Sequence, residues 1–352
     1  MRLVLHSFSI MVLAGMLCAA RPAHADSCSA IESQLRSVSR ELSHGDIAGA
    51  EKALGLLAAA APDCADLVLD RARMQAVKGE SGAEDTFSRY NTLRPKDAKG
   101  WAYYARLLID EGEYQRAEAA SRIASECDPA DPIAIAVQGQ IVDMQGASQE
   151  GMQLLEQAIR LDPDDAEASF QLGGIHDRAQ HPARAVEYFT KAAKIRPSDA
   201  RAWDYLALNL EPLGEIDRAQ YAYRRGLAEN RPGAYFDAFL PYNYGRFLMK
   251  RNQLSASKEQ LDRAVESTSQ VRAPWYERAR LNLLLKNYQQ ARTDAEKAAS
   301  LEDPQGAIAN LQVYALLEQI YSRLGETDLA RKYAELDRVT PAPVQSEIDR
   351  TH

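Results

Sequence analysis

The chain has 352 residues, 46% hydrophobic and 26% charged, with a formal net charge of −8. Alanine, leucine, arginine and glutamate are abundant and β-branched runs are nearly absent, so the composition favours helix over sheet. The acidic balance repels phosphate backbones and argues against nucleic acid as a partner.

The first 25 residues differ from the rest. Arg2 gives a short positive start, Ile10 to Ala20 (IMVLAGMLCAA) is apolar, and Ala23-His24-Ala25 is the small-x-small pattern that a signal peptidase reads. These features predict a secretory signal cleaved after Ala25 and a periplasmic or secreted chain. The apolar run is short for a bilayer span, and no second run of spanning length follows. The mature chain is therefore expected to carry no membrane span.

From Ile31 onward one pattern returns about every 34 residues, most clearly from Ala166 to Asp199. Counting from Ala166, small residues fall at position 8 (Gly173) and position 20 (Ala185). Leu172, Phe189 and Ala192 mark one apolar face, and Pro197 closes the unit. Two short antiparallel helices explain this spacing: side chains must be small where the helices cross, and proline cannot continue the second helix. One such hairpin cannot bury its own apolar face, so it needs neighbours of the same shape.

Extending the period gives starts near Ile31, Ala65, Ala98, Pro132, Ala166, Ala200, Ala238, Arg272 and Leu311, nine repeats ending at about Val344. Position 20 reads Ala50, Glu84, Ala117, Gly151, Ala185, Ala219, Ser257, Ala291 and Ala330. Position 8 reads Val38, Ala72, Ala105, Gly139, Gly173, Ala207, Gly245, Ala279 and Glu318. The repeats from Ala98 to about Asn230 fit best. Glu84, beside the glycines of KGESGAED, indicates a slightly slipped turn. Extra residues precede Ala238 (within Gly233 to Asp237) and Leu311 (within Gly306 to Asn310). Both inserts are helix-compatible and are expected to lengthen the first helix that follows, which puts Pro241 inside such a helix or at a bend in it. The polar tail after Val344, QSEIDRTH, is expected to fray.

The W-x2-L-G-x2-Y, A-x3-F and closing proline pattern, seen in Trp203, Leu206, Ala207, Ala219 and Tyr223, resembles the tetratricopeptide repeat (TPR). With the signal-like start, the chain resembles an exported bacterial protein of that type. The resemblance implies an all-α solenoid of about nine hairpins, a right-handed superhelix, and a concave groove lined by first helices that binds peptides or protein segments.

An exported chain meets an oxidising compartment. Cys28 precedes the first helix of the first hairpin and Cys64 follows its second, and in an antiparallel hairpin those ends are neighbours, so a Cys28–Cys64 bridge is expected. Cys127 is left over as a buried helical cysteine.

No catalytic constellation emerges. His176, Asp177 and His181 offer metal-ligand chemistry, but position 11 and a hairpin turn are packing and loop positions. Asp162, Asp164 and Asp165 lack the glycine and terminal glutamate of a calcium loop. There is no P-loop, Gly-rich dinucleotide turn, G-x-S-x-G or CxxC. The expected protein is not an enzyme and uses no cofactor and no metal.

By the same resemblance, first-helix positions 2, 5, 6, 9, 12 and 13 face the groove. The candidate partner-binding residues there are Tyr103, Arg106, Phe170, Tyr205, Phe239, Tyr242, Asn243, Arg246, Tyr276 and Arg280, and the cluster from Phe239 to Arg280 is the strongest. Tyrosine gives contact area at little entropic cost, and arginine forks onto carboxylates or stacks on rings. The competing expectation is that the tyrosines pack between repeats and the arginines pair with neighbouring acids. The expected function is a protein-interaction scaffold of the bacterial periplasm in envelope or secretion-system assembly. The alternative is an accessory protein of polysaccharide synthesis or export that contacts glycan or a synthase.

Overall fold

The computed structural model describes residues 28–61, 64–231, 235–304 and 306–340. The signal-like segment, the tail, Pro62, Pro232 and Pro341 lie outside the described residues. Nine helical hairpins follow one another, and no strand occurs among the described residues.

The first helices are α1 (Glu32–His44), α3 (Ala65–Lys78), α5 (Ala98–Asp110), α7 (Pro132–Met144), α9 (Ala166–Arg178), α11 (Ala200–Leu210), α13 (Leu240–Lys250), α15 (Arg272–Leu284) and α17 (Asn310–Leu324). The second helices are α2 (Ile47–Ala60), α4 (Ala83–Leu93), α6 (Tyr114–Cys127), α8 (Ser148–Leu161), α10 (Pro182–Ile195), α12 (Ile216–Glu229), α14 (Leu254–Ser267), α16 (Tyr288–Ser300) and α18 (Thr327–Val339).

Local chemistry sets the ends. Asp131 accepts from the Ile133 and Ala134 N–H groups at 3.0 Å and caps α7, with Pro132 in the first turn where its missing N–H costs nothing. The first helices end between positions 11 and 14 of the repeat, and at the fifteenth position φ is positive in every hairpin. Glycine stands there in six hairpins, while Gln180, Asn252 and Lys286 hold the same left-handed conformation without glycine's steric freedom.

The small residues at positions 8 and 20 sit where helices cross. A Cβ built on Gly151 would lie 2.8 Å from the Gly139 carbonyl oxygen. In the seventh hairpin the Ser257 hydroxyl donates to the Gly245 carbonyl at 2.8 Å, so a side chain replaces nothing larger than a hydrogen bond at the contact. In the second hairpin the slip has a definite register. Ala83, 2% exposed, takes the buried place, while Glu84 turns outward to accept from the Tyr104 hydroxyl at 2.9 Å and to pair with Arg116.

Both inserts depart from the expected helix extension. Before α13, residues 235–239 stay outside the helix and Asn230 clamps residue 237: its Nδ2 donates to the Asp237 carbonyl at 2.6 Å and its Oδ1 accepts from the Asp237 N–H at 2.7 Å. Asp237 then accepts from the Phe239 and Leu240 N–H groups and starts the helix there, so Pro241 occupies its first turn rather than a bend. Before α17 the buried Arg272 guanidinium donates to the Leu301 and Ile308 carbonyls, and Asp303 accepts from the Ile308 N–H. Those carbonyls are therefore satisfied as a loop, and the helix gains nothing by starting earlier.

The described residues form two compact units. The first comprises 28–175 with 191–198 and the second 176–190 with 199–340. In the first, Ile31, Leu35, Val38, Leu54 and Leu57 pack with Leu67 and Met74, and the Cys28 and Cys64 sulfurs are bonded, with Cα atoms 5.0 Å apart. Cys127 is only partly buried, and burial first, then the charge of Glu126, pushes its thiol up. In the second, Tyr223, Tyr244 and Phe247 stack at centroid distances of 5.1 to 6.1 Å. No helix among the described residues is long and apolar enough to cross a membrane.

Candidate functional site

In the first unit the inward side chains are committed to one another. Arg73 donates to Ser39 Oγ at 2.7 Å, Asp70 at 2.8 Å and Ser43 Oγ at 3.1 Å, and its guanidinium lies 4.4 Å from the Tyr103 ring centroid. Arg106 donates to Asp165 at 2.8 Å and also lies near that ring. Burial pushes the Asp165 carboxyl up, but the Arg106 charge and the Ala168 N–H outweigh it and hold the group below its ordinary value. Arg196 bonds Glu167 at 3.2 Å and the Ser43 carbonyl at 3.3 Å, while Ser198 donates to the Gly45 carbonyl at 3.2 Å. Tyr103 and Arg106, both sequence candidates, are thus held by internal pairing. Phe170 is half-buried on α9.

The second unit presents a different face. On α13 the pair Tyr242 and Arg246, and on α15 the pair Tyr276 and Arg280, stand four residues apart. The guanidinium carbons lie 5.4 and 5.8 Å from their ring centroids, close enough for cation–π attraction. Glu277, 4% exposed, joins the pairs: Arg280 Nη1 donates to its two oxygens at 3.1 and 2.8 Å, and Arg246 Nε lies 3.7 Å away. Even so, the Arg246 and Arg280 side chains are 39% and 46% exposed. Burial pushes the Tyr242 and Tyr276 phenols up, so both remain neutral donors at ordinary pH.

Beside Arg280 lies an open cavity of about 430 Å³, lined by Tyr276, Arg280, Leu283, Leu284, Gln312, Ala315, Leu316 and Gln319. The α17 side of this cavity was missed in the sequence, because Gln312, Ala315 and Gln319 carry no distinctive chemistry of their own. Tyr205 and Phe239 are 37% and 43% exposed, and Phe189 lies 5.4 Å from the Tyr205 ring.

Asn243 is engaged inward. Its Nδ2 donates at 2.6 Å to Asp204, which is 1% exposed. Burial first, and then the Asp237 charge, pushes the Asp204 carboxyl well above the carboxylate range, with Glu211 adding to it. Asp237 is also raised by burial, against its two backbone N–H bonds and the Arg201 charge. Burial and the neighbouring Asp237 charge thus favour the protonated form of Asp204 in the folded state. For an acid raised on folding, stability is full below the unfolded carboxyl value and falls as pH rises toward the folded one. Asp204→Asn keeps a donor for Asp237 and an acceptor for Asn243 but has no proton to lose. It is expected to raise the thermal midpoint at pH 8 and leave it near wild type at pH 4, measured by circular dichroism. A midpoint at pH 8 that stays the same or falls would refute the protonated assignment.

His176 does not reach toward a ligand site. Its ring stacks on Tyr188 at 5.4 Å and lies 6.0 Å from His181. Among the described residues, the one grouping of three metal-type ligands is Cys28, Cys64 and Asp66, whose two sulfurs are bonded to each other.

Tetratricopeptide repeat family models match residues 144–209 and 242–307, so both regions carry that repeat. The TPR repeat-containing protein YpiA of Bacillus subtilis (strain 168) is 28% identical over 176 residues, 49% of this chain and 42% of that protein. The chain therefore spans less than half of that relative's length. Among solved structures, a chain of the APC/C hetero-tetramer Cut9–Hcn1 superposes with a TM-score of 0.63 at 14% identity, covering 86% of this chain and 58% of that one. The likeness shows an α-solenoid fold of the same kind. YrrB, described as a TPR protein with an unusual peptide-binding site, matches with a TM-score of 0.40 at 20% identity, over 58% of this chain and 99% of that one.

Proposed function

We propose that the chain is an exported, non-catalytic scaffold of the bacterial periplasm that holds a polypeptide segment against the face built by α13 and α15, in envelope or secretion-system assembly. The observation that carries this reading is the repeated tyrosine–arginine pair, half-exposed on successive first helices beside an open cavity. Tetratricopeptide repeats act as scaffolds for protein interaction, and the first unit's inward charges are already paired, which leaves the second unit's face for a partner. The signal-like first 25 residues and the bonded Cys28 and Cys64 support export to an oxidising compartment.

The test is capture from envelope extract by immobilised full-length chain. Substituting Tyr242, Arg246, Tyr276 and Arg280 together by alanine is expected to reduce polypeptide capture at least about tenfold, since buried tyrosine and arginine anchors carry most interface energy. Helical content should not change. Undiminished capture removes the assignment of this face. Retention of glycan with no polypeptide would favour the polysaccharide-accessory reading instead.

A further inference from the structure

The cavity on the second unit narrows the chemistry of what this face can hold. Its floor is apolar, made by Leu283 and Leu316, with Leu284 59% exposed at its edge. Its volume of about 430 Å³ takes one large side chain with the backbone that bears it.

Charge sets the second requirement. The chain as a whole carries a net charge of −8, yet the cavity lining contains one ionised side chain, Arg280, and no carboxylate. Arg246 adds a second guanidinium from α13, and the two share the single counter-charge of Glu277, leaving one positive charge in excess. Arg280 reaches Glu277 through Nη1 alone, which leaves the outer edge of its fork for a ligand. A planar guanidinium presenting a free edge matches a carboxylate with two parallel hydrogen bonds.

Resting on the polypeptide-binding reading above, we infer that this face selects a short segment whose large apolar side chain fills the cavity while a carboxylate close to it in sequence pairs with Arg280 and Arg246. The segment is thus acidic and aliphatic or aromatic. A basic segment would meet the excess positive charge, and a purely polar one would leave the leucine floor wet.

The test pans a display library of short random peptides against the full-length chain and measures selected peptides by fluorescence anisotropy. Selected sequences are expected to share a leucine, methionine, phenylalanine or tryptophan with Asp, Glu or a free C-terminus within the next few positions. Arg280→Glu should weaken such a peptide at least about tenfold. Gln319→Trp, at an exposed position on the cavity rim, should do the same by filling the space without touching the core. If Arg280→Glu perturbs the fold, the Gln319→Trp variant still decides the cavity, and salt dependence of the wild-type affinity still decides the charge.

Selected peptides that lack acids, or whose binding neither substitution changes, overturn this inference while the scaffold reading stands on its own capture experiment. An empty selection also overturns it, because a pre-formed cavity of this chemistry must retain some peptide from a random pool. Loss of capture from envelope extract by the fourfold alanine variant, together with an empty peptide selection, would place the recognition in a folded surface rather than a short segment.

Discussion

Gly151→Val is expected to cost about 3 kcal/mol of stability, read as a lower denaturant midpoint and faster amide exchange across α7 and α8. Two effects oppose each other at this site. Replacing a helical glycine by alanine recovers at most about 0.5 to 1 kcal/mol of backbone entropy, and by valine less. Against that, an added Cβ would meet the Gly139 carbonyl oxygen at 2.8 Å, Asp143 Cβ at 2.9 Å and the Asp143 nitrogen at 3.1 Å. These atoms belong to or adjoin a helix backbone and cannot swing aside, so the two helices must separate, at the roughly 1 to 3 kcal/mol typical of overpacking, or more. Alanine already carries the clashing Cβ and should itself destabilise by up to about 2 kcal/mol, and valine, with two further methyl groups, should lie lower still. Gly55 supplies the control: nothing lies within 4 Å of its added Cβ, so Gly55→Ala should stabilise by about 0.5 to 1 kcal/mol. If Gly151→Val and Gly55→Ala shift the midpoint alike, the tight crossing is not what demands glycine.

The same crossing explains why so much of the architecture was legible in the sequence. Small residues at positions 8 and 20 report a steric contact inside one hairpin, so the constraint repeats wherever the hairpin does. Helix starts at Ala65, Ala98, Pro132, Ala166, Ala200 and Arg272 coincide with the starts read from the period. A further local signal was present and unused: the positive φ at position 15, which glycine marks at Gly45, Gly79, Gly112, Gly146, Gly214 and Gly325. The inserts depart from the expectation because helix propensity does not register specific side-chain bonds: the Asn230–Asp237 clamp fixes the chain just before α13, and the Arg272 bonds to Leu301 and Ile308 come from far along the chain.

The candidate site was legible only by position. The period places Tyr103, Arg106, Tyr242, Arg246, Tyr276 and Arg280 on corresponding first-helix faces but cannot say which arginines are already paired. That depends on an acid far along the chain, as when Asp165 reaches Arg106 from 59 residues away. Nor does a pattern of side chains reveal a cavity, which is a property of the gap between α15 and α17 rather than of any residue.

Cys28→Ser is expected to have the largest effect, a loss of about 4 kcal/mol confined to the first hairpin. The bridge joins residues 36 apart, and a loop of that length restricts the unfolded chain by about this amount in the chain-entropy picture. The loss stays local because each hairpin is held chiefly by its neighbours. The first hairpin keeps its packing against Leu67 and Met74 and the Arg73 bonds to Ser39 and Ser43. The Arg196 and Ser198 bonds to the Ser43 and Gly45 carbonyls hold it as well, so the loss weakens the hairpin without detaching it. Hydrogen exchange should therefore accelerate in α1 and α2 and stay unchanged in α13 to α18. Reductant added to the wild-type chain should reproduce the effect, and reductant added to Cys28→Ser should do nothing more. If instead the wild-type chain shows the same exchange with and without reductant, the two sulfurs are not joined in solution, and the support that the bridge lends to an oxidising compartment goes with it.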